Sequence, residues 1–171
     1  MKLTDRQKCQ ILFAVYLLFV IKVIVLKYPF AQLRAIMGTW SRDVVLEGLD
    51  SANFTLFRTI HMYIDYSYML NSFENLAGNV VVFIPFGMFL PFIWKRFRNF
   101  ADTFLAGFLF SLGIEIFQLF SAFGAFDVDD ILLNVAGVIG GYVVYMLLCL
   151  GERMFGGKKK QSKTEYERKR E

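Results

Sequence analysis

Glu115 is the residue of this chain that most needs a partner. It sits inside an apolar run, Phe104–Phe120, and shares one helical stripe with Ser111 and Gln118, at i, i+4 and i+7 spacing. A carboxylate well inside lipid must be neutralised, paired or solvated. Held there, it can act as a general acid or base. A second stripe, Asp130, Asn134, Gly137 and Gly141, opens the run Ile131–Leu150, and Asn75 and Asn79 open the run Leu76–Trp94 one turn apart. Asp127 and Asp129 stand just before the second stripe. Three close carboxylates can hold a hard divalent cation against a phosphate, but Asp-x-Asp-Asp alone is a weak motif, and no metal or cofactor is assigned. Each feature also has a structural reading. The aspartates cap a helix and complement its dipole, the asparagines hydrogen-bond between helices, Gly137-x-x-x-Gly141 lets two helices approach closely, and Pro85-Phe86-Gly87 kinks one.

The elements that position these residues follow from hydropathy. Of 171 residues, 56% are hydrophobic and 18% aromatic, with 20 Phe and 3 Pro. Soluble domains sit near ~45–50% apolar, so a wholly disordered chain, a collagen-like repeat and a disulfide scaffold are excluded. The length allows one domain. Four runs carry almost no charge: Cys9–Leu26, Leu76–Trp94, Phe104–Phe120 and Ile131–Leu150. At about 1.5 Å per residue each covers roughly 25–30 Å, the hydrocarbon thickness of a bilayer. Backbone groups in lipid must bond within their own segment, so each run is expected to be a helix. The expected fold is an all-α integral membrane protein, a four-helix transmembrane bundle with an interfacial outer loop. A short tail (1–8) precedes a membrane domain (9–150), and a basic tail (151–171) follows it.

Charge sets the expected orientation. The N-terminal tail, the 95–103 loop and the C-terminal tail hold 14 of the 19 Lys and Arg residues, and a four-span topology puts all three on one side. The positive-inside rule makes that side the cytoplasm, so the expected location is the cell membrane, multi-pass, with both termini inside. The first run is too long for a signal peptide and contains Lys22, with no small-x-small cleavage site after it. Lys22 is expected to snorkel to the outer interface beside Lys27. Cys9 and Cys149 fall near the cytoplasmic ends of their spans, where thiols stay reduced, and His61 is the single histidine.

Loop 28–75 is more than a connection. Leu33, Ile36, Met37, Trp40 and Val44 fall on one helical face, which predicts a helix lying in the outer interface and broken at Gly48-Leu49-Asp50-Ser51. Phe54–Tyr68 is rich in aromatics suited to the headgroup zone. The tail beyond Gly156-Gly157 is expected to be disordered and to attract anionic lipid through its Lys and Arg. In this topology the polar stripes meet at the outer leaflet. The candidate pocket is Asn75, Asn79, Ser111, Glu115, Gln118, Asp127, Asp129, Asp130 and Asn134. Arg58 or His61 dipping from the outer loop, or a hydrogen bond from protonated Glu115 to Asn79 or Asn134, are the open ways to satisfy the buried acid.

The strings Asn75-Leu-Ala-Gly-Asn79-Val-Val-Val-Phe-Ile-Pro85-Phe-Gly87, Ser111-Leu-Gly-Ile-Glu115-Ile-Phe-Gln118 and Phe126-Asp127-Val-Asp129-Asp130-Ile-Leu-Leu-Asn134-Val-Ala-Gly137 resemble the VanZ-like family, as does Asn53-Phe-Thr-Leu-Phe57-Arg58-Thr-Ile. The resemblance covers roughly residues 50–145. Leu56 stands where the family usually has proline, and Gly124 where a basic residue is common. The resemblance implies a small bacterial membrane protein of a family whose namesake is linked to teicoplanin resistance; it brings no catalytic mechanism. Two function classes therefore stand open. One is a non-enzymatic envelope protein whose outer pocket alters how a glycopeptide or cell-wall lipid precursor is presented. The other is an intramembrane enzyme acting on a lipid headgroup through Glu115 and the Asp127/Asp129/Asp130 cluster. No Ser-His pair, His cluster, phosphate-binding glycine loop or transporter-type repeat is present in the sequence, which favours the first. The expected partners are membrane lipids and such an outer ligand, with no nucleic acid.

Overall fold

The computed structural model describes residues 4–25, 28–66 and 72–168. Thr4 starts helix α1 (Asp5–Val20) with a reciprocal cap: its hydroxyl accepts from the Gln7 N–H and the Gln7 side chain accepts from the Thr4 N–H. A π-helical segment, Ile21–Val25, continues it. Leu26 and Lys27, the expected end of the first span and the partner of Lys22, lie outside the described residues, as does Tyr68. The helices α2 (Phe30–Gly38), α3 (Arg42–Ser51) and α4 (Arg58–Asp65) fill the first loop. Then come α5 (Ser72–Ile93), a 3₁₀ turn (Lys95–Arg98), α6 (Phe100–Ser121) and α7 (Val128–Arg168). Among the described residues no strand forms; one parallel bridge pairs Asn53 with Asp127.

Three stretches are long and apolar enough to cross a membrane: Glu74–Ile93, Phe100–Ser121 and Val128–Met154. Their outward faces leave Leu109, Phe117, Phe120, Val143 and Leu147 exposed, which a soluble fold would hide. Helix α1 lies antiparallel along α5. Tyr16 donates to the Val82 carbonyl at 2.8 Å, and Phe13 packs against Phe86, Phe89 and Trp94. The Tyr16 bond falls one residue past the Val81 carbonyl, which loses its helical donor because Pro85 has no N–H.

The packing of α5 on α7 is governed by glycine. A Cβ on Gly137 would lie 2.1 Å from the Val80 carbonyl oxygen, one on Gly141 1.9 Å from that of Ile84, and one on Gly87 2.0 Å from that of Val138. The two backbones therefore touch, with small residues on both sides, as the Gly137-x-x-x-Gly141 spacing suggested. Gly107 brings α6 against the Val138 side chain in the same way. Around this contact sit buried Phe83, Phe86, Leu90, Ile114 and Val138, with the rings of Phe86 and Phe110 stacked at 4.9 Å.

Two expectations are corrected. The break in the first loop falls at residues 39–41, and Gly48–Ser51 are helical. Thr39 closes α2 by bonding the Ala35 and Ile36 carbonyls, and Ser41 caps α3 by accepting from the Val44 N–H; these local bonds outweigh the apolar periodicity. The backbone of α7 also remains helical to Arg168, past Gly156-Gly157. Two interior glycines cost about 1 kcal/mol each, while the Lys, Glu, Gln and Arg that follow are good helix formers.

Candidate functional site

At the end where α5 begins, α6 finishes and α7 begins, the loop carrying Asn53 to Ile60 is clasped onto the start of α7. The Asn53 N–H donates to the Phe126 carbonyl at 2.8 Å and the Val128 N–H to the Asn53 carbonyl at 3.0 Å. The rings of Phe54 and Phe126 stack beside this pair. Asp127 is the N-cap of α7, its Oδ1 accepting from the Asp129 N–H at 2.8 Å. The same oxygen accepts from Asn53 Nδ2, and Oδ2 accepts from the Thr59 hydroxyl.

Asp129, fully buried, turns the other way. Its carboxylate accepts the backbone N–H groups of Phe57, Thr59 and Ile60. Phe57, the N-cap position of α4, is in the left-handed region at φ 66° and has no side-chain cap of its own. Asp129 therefore supplies the missing cap and its charge faces the positive end of the α4 dipole.

Below the clasp, Glu115 is 1% exposed and its Oε2 accepts from the Asp127 N–H at 3.0 Å. This bond from the loop backbone was not among the expected partners of Glu115. Asn79 instead donates to Asp130 Oδ1 at 2.6 Å, and Asn134 to Ser111 Oγ at 2.9 Å. Arg58 and His61 are exposed on α4, where His61 sits near the Phe57 ring. Asn134 Oδ1 is buried without a hydrogen-bond partner among the described residues.

Beside this network a cavity of about 410 Å³ opens. Of the sequence-derived candidates, Asn75, Asn79, Gln118, Asp127 and Asp130 line it. Ser111, Glu115, Asp129 and Asn134 belong to the packed layer, each at most 2% exposed, and the described lining omits them along with Arg58 and His61. Thr59, Tyr63, Glu74 and Val23 also line it and were not anticipated; for Thr59 the signal was its place in the Asn53–Ile60 string. The described lining holds three carboxylates, Glu74, Asp127 and Asp130, and no Lys, Arg or His. Such a wall accepts hydrogen bonds from hydroxyl and amine groups more readily than it takes a phosphate. The three aspartates do not converge on one point: Asp127 and Asp129 are engaged by N–H and O–H donors of the clasp, and Asp130 faces Asn79. This removes the geometry that a shared cation site at Asp127, Asp129 and Asp130 would need.

Protein VanZ of Enterococcus faecium is 36% identical to the chain over 76 residues, 44% of this chain and 47% of that protein, so the match spans about half the relative's length. No solved structure matches the chain. The VanZ/LLP1 family model matches residues 13–149, a segment that holds the clasp, the buried layer beneath it and every described lining residue of the polar cavity, and the chain belongs to that family.

Proposed function

We propose that this chain is an envelope protein whose polar cavity opens to the outer leaflet and receives a hydroxyl- or amine-rich group of a cell-wall lipid or glycopeptide. By doing so it changes how such a drug meets the membrane surface. In this reading the 16-residue α1 with the five-residue π-helical segment makes a fourth crossing, and α2, α3 and α4 rest in the outer interface. Both termini lie in the cytoplasm, because the basic residues Lys95, Arg96, Arg98 and Arg153 fall at the end opposite the cavity. The observation that carries the proposal is the cavity itself: Asn75, Asn79, Gln118 and Asp130 come from three separate helices to line one opening. Family membership supports the resistance aspect.

The test is expression in a glycopeptide-sensitive Gram-positive host, reading teicoplanin susceptibility and surface binding of labelled drug. Reduced susceptibility that is lost on Asn75→Leu is the expected result. Unchanged susceptibility and unchanged drug binding in cells that hold the protein would overturn the proposal.

A further inference from the structure

At the end opposite the polar cavity, a second cavity of about 760 Å³ lies between the end of α5 and the middle of α7. Its walls are apolar, with Phe92, Met146 and Leu150 among them, and its mouth carries Arg98 and Arg153 against the single acid Glu152. The Phe92 and Tyr145 rings meet edge to face at 4.9 Å to form part of its wall. Arg98 is not on a loose loop. The Tyr142 hydroxyl donates to the Arg98 carbonyl at 2.7 Å, and the buried Thr103 hydroxyl donates to the Phe97 carbonyl at 2.6 Å. Two helices thus fix the backbone of the short turn that presents the guanidinium.

From this geometry we infer that the groove is a binding site for an anionic phospholipid of the inner leaflet, with Arg98 and Arg153 on the phosphate and an acyl chain along Phe92, Met146 and Leu150. Charge complementarity selects the occupant. An apolar channel alone takes any acyl chain, but two guanidiniums at its mouth match a headgroup of net negative charge, and arginine pairs with phosphate oxygens through two N–H groups at once. The site differs from a diffuse attraction of lipid to the basic tail, because its two charges stand over a shaped apolar channel. The inference rests on the bilayer placement proposed above and not on the outer cavity.

The test uses the full chain, delipidated in mild detergent and titrated with dioleoyl phosphatidylglycerol or dioleoyl phosphatidylcholine, with bound lipid counted by native mass spectrometry. Phosphatidylglycerol is expected to be preferred, and the R98Q/R153Q variant to bind it roughly 10–30-fold more weakly, the effect of two basic residues at a membrane surface. A variant with K158Q, K159Q, K160Q and K163Q is expected to keep the preference. Leu150→Trp, which fills the channel without changing charge, is expected to reduce binding of both lipids and serves as the second variant if R98Q/R153Q fails to elute as a folded species. Equal binding of the two lipids by the wild-type chain would overturn the inference. So would a preference that survives R98Q/R153Q but vanishes with the tail lysines. Drug susceptibility is not read in this experiment, so failure of the outer-cavity reading leaves its outcome unaffected.

Discussion

The carboxylate of Asp129 accepts the N–H of Phe57 across 72 positions of sequence. One side chain at the start of α7 thereby caps a helix that belongs to the first loop. Asp127 works in parallel, capping α7 with one oxygen and holding Thr59 with the other. These aspartates make the clasp that closes the cavity wall at Thr59, so the wall depends on two loops that are distant in sequence.

Replacing Asp129 with Ala should therefore cost more than replacing Asp127 with Asn. Asp129→Ala strips the acceptor from three backbone N–H groups in a buried setting, a loss of about 3 kcal/mol or more. Asp127→Asn keeps an oxygen for the cap and should cost about 1 kcal/mol. Thermal unfolding in detergent orders the two, and hydrogen exchange at Thr59 and Ile60 should rise sharply in Asp129→Ala. Equal melting shifts would show that Asp129 does not hold α4.

The glycines of α7 offer a test with its own control. Gly141→Ala places a methyl 1.9 Å from the Ile84 carbonyl oxygen, whereas at Gly140 the nearest atom is a side-chain carbon 3.9 Å away. The first should destabilise by roughly 2 kcal/mol or more, because two backbones must separate. The second should lie within about 0.5 kcal/mol of the parent. Unfolding in denaturing detergent measures both, and matching values would mean that α5 and α7 are not in backbone contact.

Much of this arrangement was legible in the residues, for identifiable reasons. Lipid thickness sets the length of an apolar run, so the three helices that carry Asn79, Glu115 and Asn134 could be bounded closely. Helical periodicity placed those side chains on inward stripes, and all of Ser111, Glu115 and Asn134 are buried. What could not be read was which partner each takes. Glu115 meets a backbone N–H from the loop only 12 residues on, and backbone donors leave no mark in composition. Asp129 finds its partners beyond two helices, where spacing carries no information. The α2–α3 break was missed because Leu33, Ile36, Met37 and Trp40 continue an apolar period across it, while Thr39 and Ser41 end and restart the chain by short-range bonds.

Ser111 and Asn134 form an asymmetric pair. Asn134 Nδ2 donates to Ser111 Oγ, while its own Oδ1 has no partner among the described residues. Ser111→Ala should cost about 0.5–2 kcal/mol by leaving the amide less satisfied. Asn134→Leu removes the unsatisfied acceptor together with the donor, so it should be within about 1 kcal/mol of neutral. The double variant should resemble Asn134→Leu alone, and additive losses in unfolding experiments would count against the pairing.

Glu115 separates stability from activity through its two replacements. Glu115→Gln keeps an oxygen for the Asp127 N–H and nearly the same volume, so the variant should accumulate in membranes at close to the parent level. Glu115→Ala leaves that N–H without its acceptor and opens a void in a packed layer, at about 2–4 kcal/mol. Membrane immunoblots read the difference, and comparable depletion of both variants would show that the ionised carboxylate, rather than an acceptor oxygen, holds the layer together.

Asn75 and Asn79 begin the same helix and both line the cavity, but they should behave differently. Asn79 donates to Asp130 at 2.6 Å and so joins α5 to α7. A cycle of Asn79→Ala and Asp130→Ala should return a coupling of about 1–2 kcal/mol. Asn75 is exposed one turn earlier, at the rim, so Asn75→Leu should leave melting within about 0.5 kcal/mol of the parent. Its effect should fall on ligand access, since a branched apolar side chain there replaces a hydrogen-bonding amide in a space of about 410 Å³. Drug susceptibility and melting measured on the same variants separate the two roles. If Asn75→Leu melts normally and loses the phenotype, the cavity is the working surface. If it keeps the phenotype while Asn79→Ala loses both properties, the activity lies elsewhere and the polar cavity is a by-product of how α5 and α7 are joined.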